Sequence, residues 1–98
     1  MNLGIHTLGS TLAKCIQLKS GNAPVTADAQ PTFRIYGDGT TTIATGACST
    51  VVDSQTGLHQ ISQALTIGNG FAVGTYTIRV AYAVSSVAKV QDYSFTVA

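Results

Sequence analysis

The side chains that could do acid–base, nucleophilic or metal chemistry are few: four Asp, no Glu, two His, two Cys and three Lys in 98 residues. A zinc site needs three or four converging ligands, usually with a close-spaced pair in the sequence. His6 and His59 have no such partner, so His59 is interpreted as a residue packed along a strand. We expect no catalytic residue, no cofactor site and no metal site.

The four carboxylates are better explained by structural roles than by catalysis. Asp38 lies beside glycines and Asp53 beside Ser, where a short carboxylate caps the backbone of a turn. Asp28 lies between the two prolines and is expected to be a solvated loop residue. Asp92 is expected on the outer face of the last strand, where its charge keeps that strand soluble.

The cysteines, Cys15 and Cys48, have no CxxC spacing. One disulfide is possible, but small secreted domains that depend on disulfides usually carry at least four cysteines. The alternative, which we favour, is two buried or half-buried thiols in a protein made in a reducing cytoplasm.

Charge is sparse across the whole chain. Charged residues make up 9% of the sequence, against about 25% in a typical soluble domain. The net charge of +1 gives no electrostatic signature of binding to nucleic acid or to an anionic membrane. The hydrophobic share of 45% argues against disorder, and no apolar window is long enough to cross a bilayer. The remaining Lys and Arg are scattered.

Polar and apolar residues alternate along most of the chain, which is typical of strands with one buried face. The clearest case is 75–84, where the even-numbered residues, Tyr76 to Val84, form the apolar face. A second run, 87–97, places Tyr93, Phe95 and Val97 on one face. The two residues between the runs, Ser85 and Ser86, predict a tight antiparallel hairpin.

Further strands are predicted upstream, separated by turn clusters at Gly37–Gly39 and Gly68–Gly70. Six or seven strands with turns every 8–12 residues predict an all-β, antiparallel fold, and an immunoglobulin-like or fibronectin-III-like β-sandwich is preferred over a barrel. The segment 41–52 is either one strand kinked near Gly46 or two short strands. The other predicted strands are 12–19, 32–36 and 58–67.

Tyr76 follows a glycine turn at Gly74, near the start of the penultimate strand. Immunoglobulin-like sandwiches place there a tyrosine whose hydroxyl bonds back to upstream backbone. The alternative is an ordinary inward aromatic with a solvated tip. Tyr82 and Tyr93 are expected to face the core, so Tyr36 is the best candidate for an exposed aromatic.

The first eleven residues differ from the rest because Leu3, Ile5 and Leu8 do not alternate cleanly. They are interpreted either as a disordered tail or as an extended arm, whose three apolar residues dock on a neighbouring subunit. The predicted organisation is therefore an N-terminal arm, 1–11, and a β-sandwich domain, 12–98.

Several short motifs match one known pattern: Thr56-Gly57-Leu58, Asn69-Gly70-Phe71, Gly74, Tyr76 and Phe95-Thr96-Val97. Through these motifs the sequence resembles, over residues 12–98, small structural proteins of tailed bacteriophages with immunoglobulin-like domains. All of the matching residues have structural roles.

The resemblance implies a non-enzymatic virion protein made in the host cytoplasm, most simply a capsid cement or decoration protein. Its partners would be the major capsid protein or other virion proteins, with several copies of itself on the particle, and neither nucleic acid nor membrane. The alternative is a receptor- or glycan-binding module of a tail, baseplate or bacterial surface.

Overall fold

A computed structural model describes residues 2–20, 23–37 and 42–98. Strands dominate this part of the chain, which contains two short 3₁₀ turns and no α-helix. No helical segment among these residues is long and apolar enough to span a membrane. The all-β prediction is confirmed. The strands are β1 Asn2–His6, β2 Thr11–Gln17, β3 Lys19–Ser20, β4 Ala23–Pro24, β5 Thr32–Tyr36, β6 Thr42–Ala47, β7 Leu58–Ala64, β8 Gly74–Val84 and β9 Val87–Val97.

The strands form one large sheet and two small ones. The large sheet has the order β1-β9-β8-β5-β6. Its neighbouring strands are antiparallel, except that β1 runs parallel to β9. The other sheets are the antiparallel pairs β2-β7 and β3-β4.

One hydrophobic cluster joins the large sheet to β2 and β7. The even-numbered residues of β8 from Tyr76 to Tyr82 are buried, as the alternation predicted. Leu12 and Ile16 of β2 and Ile61 of β7 belong to the same cluster. Burial of each Leu or Ile side chain contributes roughly 1.5–3 kcal/mol, so this core helps to hold β2 and β7 against the large sheet.

The β8–β9 hairpin is present where it was predicted, with a turn of unusual composition. Ser85 and Ser86 both have positive φ, 50° and 65°, a conformation that such turns normally assign to Asn-Gly. The Asp28 carboxylate accepts hydrogen bonds from both serine amides, at 3.0 and 2.7 Å. Asp28 is an exposed loop residue, as predicted, and its carboxylate in addition caps this turn.

The N-terminal segment does not form a separate arm over the residues described. Residues 2–6 are the edge strand β1 of the domain's own sheet, and Leu3 is buried in its core with 7% of its surface exposed. Leu8 packs against the same core, while Ile5 is 74% exposed. The boundary predicted between residues 11 and 12 is corrected, because β1 belongs to the folded domain.

The segment predicted as one kinked strand or two short ones contains one strand in its described part. β6 runs through Gly46, which lies opposite Phe33 on β5. A Cβ atom at Gly46 would come within 2.7 Å of the Phe33 ring, so this glycine makes room for the ring. Asp38, most of its predicted turn and the Asp53 side chain lie outside what the structure describes.

The connection before β7 brings three backbone segments together at Gly57. This buried residue has a φ of 74°, and a Cβ atom there would lie 2.7 Å from the Val25 carbonyl oxygen and 2.9 Å from that of Leu18. The Leu18 amide donates to the Gly57 carbonyl at 2.8 Å. Both the backbone angle and the close approach require glycine.

Candidate functional site

The titratable side chains are spread over separate elements. His59 on β7 is buried, and its Nδ1 donates a hydrogen bond to the Ser49 carbonyl at 2.8 Å. His6 on β1 places its Nε2 3.0 Å from the Leu3 carbonyl oxygen. Within residues 2–20, 23–37 and 42–98 no three His, Cys or Asp side chains come together as metal ligands would.

The two cysteines are both free thiols. Cys48 is buried, and burial raises its pKa from 9.0 to about 11. Since the thiolate is the reactive form, this thiol is inert at neutral pH. Cys15 is exposed on β2, which corrects the expectation that both thiols are at least half-buried.

Arg79 and Asp92 form an ion pair on the outer face of the large sheet. Arg79 on β8 donates to both carboxylate oxygens of Asp92 on β9, at 2.9 and 3.1 Å, and both side chains are about half exposed. These hydrogen bonds lower the pKa of Asp92 and raise that of Arg79. Asp92 is on the outer face, as predicted, with its charge matched by the neighbouring strand.

Next to this pair lies an uncompensated cation. Arg34 on β5 stands directly opposite Arg79 in the antiparallel register. Like charges in this arrangement destabilise a sheet, and Asp92 offsets only one of the two. Arg34 makes no ion pair with any described residue.

A shallow groove of about 540 Å³ runs over this part of the outer face. Arg34, Arg79 and the half-buried Tyr36 line it together with Thr and Ala side chains. Tyr82 and Tyr93 are buried, as predicted. Tyr36 is thus the tyrosine that the groove presents, beside two guanidinium groups.

Tyr76, Gly74 and Phe95 form a structural cluster on β8 and β9. The Tyr76 hydroxyl donates to the Ala72 carbonyl at 2.9 Å and accepts from the Ala72 amide at 2.8 Å. Its ring stacks on Phe95, with centroids 5.4 Å apart, and Gly74 begins β8. The Tyr76 hydroxyl therefore bonds to upstream backbone, as the comparison with the tyrosine of immunoglobulin-like sandwiches predicted.

A larger cleft, of about 780 Å³, lies between β2, β3 and the first half of β9. The Gln91 side chain joins its walls: its Nε2 donates to the Gln17 carbonyl at 3.1 Å, and its Oε1 accepts from the Lys19 amide at 2.8 Å. The Tyr82 hydroxyl donates to the Lys19 carbonyl at 2.8 Å. We name these contacts the Gln91 latch.

Sequence reasoning missed this cleft. The feature of the sequence that points to the cleft is Gln91, a polar residue at an inward position of the alternating pattern of β9. Such a residue needs buried partners, and the partners are backbone groups more than 70 positions away along the chain. Nothing in the local pattern identifies them.

No family model, curated protein or solved structure matches this chain. Its function therefore has to be inferred from the sequence and from these surfaces.

Proposed function

We propose first that the domain is an immunoglobulin-like β-sandwich. The strand order supports this, because β6-β5-β8-β9 and β2-β7 correspond to the C′-C-F-G and B-E strands of that fold. Tyr76 also supports it: β8 is the equivalent of strand F, and the tyrosine near its start bonds to backbone four residues upstream.

We propose that the chain is a non-enzymatic structural protein of a tailed-bacteriophage virion, a decoration protein that binds the capsid by protein–protein contact. The observation that carries the proposal is the outer face of the large sheet. Apart from Arg34 and the Arg79–Asp92 pair, its central strands expose mainly Thr, Ser and Ala side chains. Charge depletion of this kind is typical of the core of a protein interface.

The contact elements in this proposal are the outer sheet face and the strand edges. Removal of residues 1–11 is not a clean test of capsid binding, because it would take Leu3 out of the core and β1 out of the sheet. A surface substitution that leaves the core intact is needed instead.

The test introduces one charge on each side of the domain. Thr77→Asp places a carboxylate on the outer face of β8, and Ser62→Asp places one at an exposed position of β7 in the other sheet. Both proteins are sedimented with virions of the phage that encodes the chain. We expect hundreds of copies per capsid for the unmodified protein, a loss of at least ten-fold for Thr77→Asp, and little change for Ser62→Asp.

Two results would contradict the proposal. One is equal binding by the two Asp variants, which would show that the outer face makes no contact. The other is a location on the tail in a few copies per particle, which would exclude a role in the capsid lattice. Reconstruction of the particle distinguishes these outcomes.

A glycan-binding module is the second candidate, and the groove at Tyr36 favours it. A tyrosine next to Arg34 and Arg79 offers a stacking surface together with donors for an acidic sugar. In this case the isolated domain should bind members of an array of bacterial surface oligosaccharides, and Tyr36→Ala should abolish binding. Absence of binding by the unmodified domain would reject this candidate.

A further inference from the structure

In the first half of β9, the side that faces away from β8 pairs with no described strand. β8 pairs with β9 along its whole length, but β1 covers the other side only from Ser94 onward. No other described strand pairs with that side. Exposed edges are usually short or covered, whereas this one extends over about six residues, or ~20 Å.

The register identifies the backbone groups that this edge offers. In a two-residue hairpin the residues flanking the turn form a hydrogen-bonded pair, and such pairs then alternate with non-bonded pairs. Val87, Lys89 and Gln91 therefore bond to β8, while Ala88, Val90 and Asp92 direct their N–H and C=O groups outward. Three residues thus present a ready template for a further strand.

The described charges around this edge that have no ion-pair partner are positive. Lys19 and Lys89 line the cleft beside it, and neither makes an ion pair with a described residue. Among the described residues that line the cleft, Asp92 is the one with an acidic side chain, and Arg79 donates hydrogen bonds to its carboxylate. An incoming strand therefore meets uncompensated positive charge.

The edge is also held in place before any partner arrives. The Gln91 latch ties β9 to the backbone at Gln17 and Lys19 on the opposite wall, and the Tyr82 hydroxyl donates to the same Lys19. A pre-ordered edge loses less conformational entropy on binding than a mobile one.

We propose that this edge binds an extended acidic segment of another protein by addition of a strand to β9. The segment would bond to the outward backbone groups of Ala88, Val90 and Asp92, and its carboxylates would pair with Lys19 and Lys89. A second copy of this chain is a poor source of such a segment, because it has no Glu and its four Asp are far apart in sequence. The proposal does not depend on a virion setting.

The test uses a defined probe, the capped hexapeptide Glu-Val-Glu-Val-Glu-Val, with Lys-Val-Lys-Val-Lys-Val as its charge-reversed control. Binding to the isolated protein is followed by NMR, from amide shifts and from amide hydrogen exchange. We expect the acidic peptide to bind, to slow exchange at the amides of residues 88, 90 and 92, and to lose affinity as salt is raised. The basic peptide should not bind.

Two variants of one residue separate backbone pairing from side-chain contact. Val90→Pro removes an N–H that β8 does not use, a position at which an edge strand tolerates proline, whereas Val90→Ala keeps the N–H and shortens the side chain. We expect Val90→Pro to weaken binding of the acidic peptide at least ten-fold and Val90→Ala to change it less than two-fold. The double variant Lys19→Ala/Lys89→Ala, which leaves the backbone untouched, should also weaken binding at least ten-fold.

Several outcomes would overturn the proposal. They are no binding of the acidic peptide at millimolar concentration, equal binding of the basic peptide, and equal affinities for Val90→Pro and Val90→Ala. Slow exchange at the three amides that increases with protein concentration, without peptide, would identify a second copy as the occupant instead. If Val90→Pro does not fold, unchanged affinity in the double lysine variant is sufficient to reject the proposal.

Discussion

Replacement of Gly57 by Ala should be among the most damaging single-methyl additions to this domain. The added Cβ atom would lie 2.7 and 2.9 Å from the carbonyl oxygens of Val25 and Leu18, which are backbone atoms and cannot rotate away. The residue also has a φ of 74°, which disfavours any side chain. Gly9 is a matched control, because its φ is 93° but no atom lies within 4 Å of a Cβ built there.

Both substitutions put a side chain on a left-handed backbone, but only Gly57→Ala also brings it too close to other atoms. A left-handed backbone angle costs a non-glycine residue roughly 1–2 kcal/mol, and this applies to both positions. Overpacking adds roughly 1–3 kcal/mol, and it applies only to Gly57. We therefore expect a loss of about 1–2 kcal/mol for Gly9→Ala and about 2–5 kcal/mol for Gly57→Ala.

Urea unfolding followed by circular dichroism measures both changes. In a domain of this size 1 kcal/mol corresponds to about 4–8 °C in Tm, so thermal unfolding should separate the two variants as well. If Gly57→Ala is no more destabilising than Gly9→Ala, the close approach of the two carbonyl oxygens does not constrain this position and the reasoning is refuted.

Two further predictions follow from the turn cap and the buried thiol. Asp28→Ala should lower the free energy of unfolding by about 1 kcal/mol, measured by urea unfolding, because the amides of Ser85 and Ser86 lose their acceptor. Asp28→Asn keeps one acceptor oxygen and should cost less; unchanged stability of Asp28→Ala would contradict the capping role. Cys48 has a folded-state pKa of about 11 against 9.0 normally, so the unfolded thiol ionises first and stability should fall as pH rises from about 9 to about 11. At pH 8 iodoacetamide should modify Cys15 and spare Cys48, and equal labelling of the folded protein would show that Cys48 is not buried.

Alternation predicted the parts of the fold in which each buried residue is followed by an exposed one. β5 has the bounds predicted for it, and the inward faces of β8 and β9 are those read from the sequence. β7 ends at Ala64, before its predicted end, because the chain then enters a 3₁₀ turn at Ile67–Asn69.

The N-terminal strand was missed because its pattern is broken by a bulge. The register of β1 against β9 shifts between Asn2 and Ile5, where Gly4 has a φ of 98°. A bulge puts two residues on one strand opposite one on its partner. Leu3 is therefore buried and Ile5 exposed, although two residues at this spacing in a regular strand would lie on the same face.

Contacts between distant segments could not be predicted at all. The sequence places Asp28 in a loop, but nothing near it indicates that its carboxylate meets the hairpin turn. The outer face could be read from the alternation of β8. The free edge of β9 could not be predicted, because it exists only where β1 does not pair with β9, and the sequence does not show where that pairing begins.

The parallel pairing of β1 with β9 also sets an order of assembly. Asn2 pairs with Ser94, so β1 can take its place in the sheet only after β9, which follows it by about 90 residues, has been synthesised. Until then Leu3 lacks its place in the core. Contacts between such distant segments slow folding, and we expect a nascent chain without β9 to keep an open sheet edge that attracts chaperones or other chains.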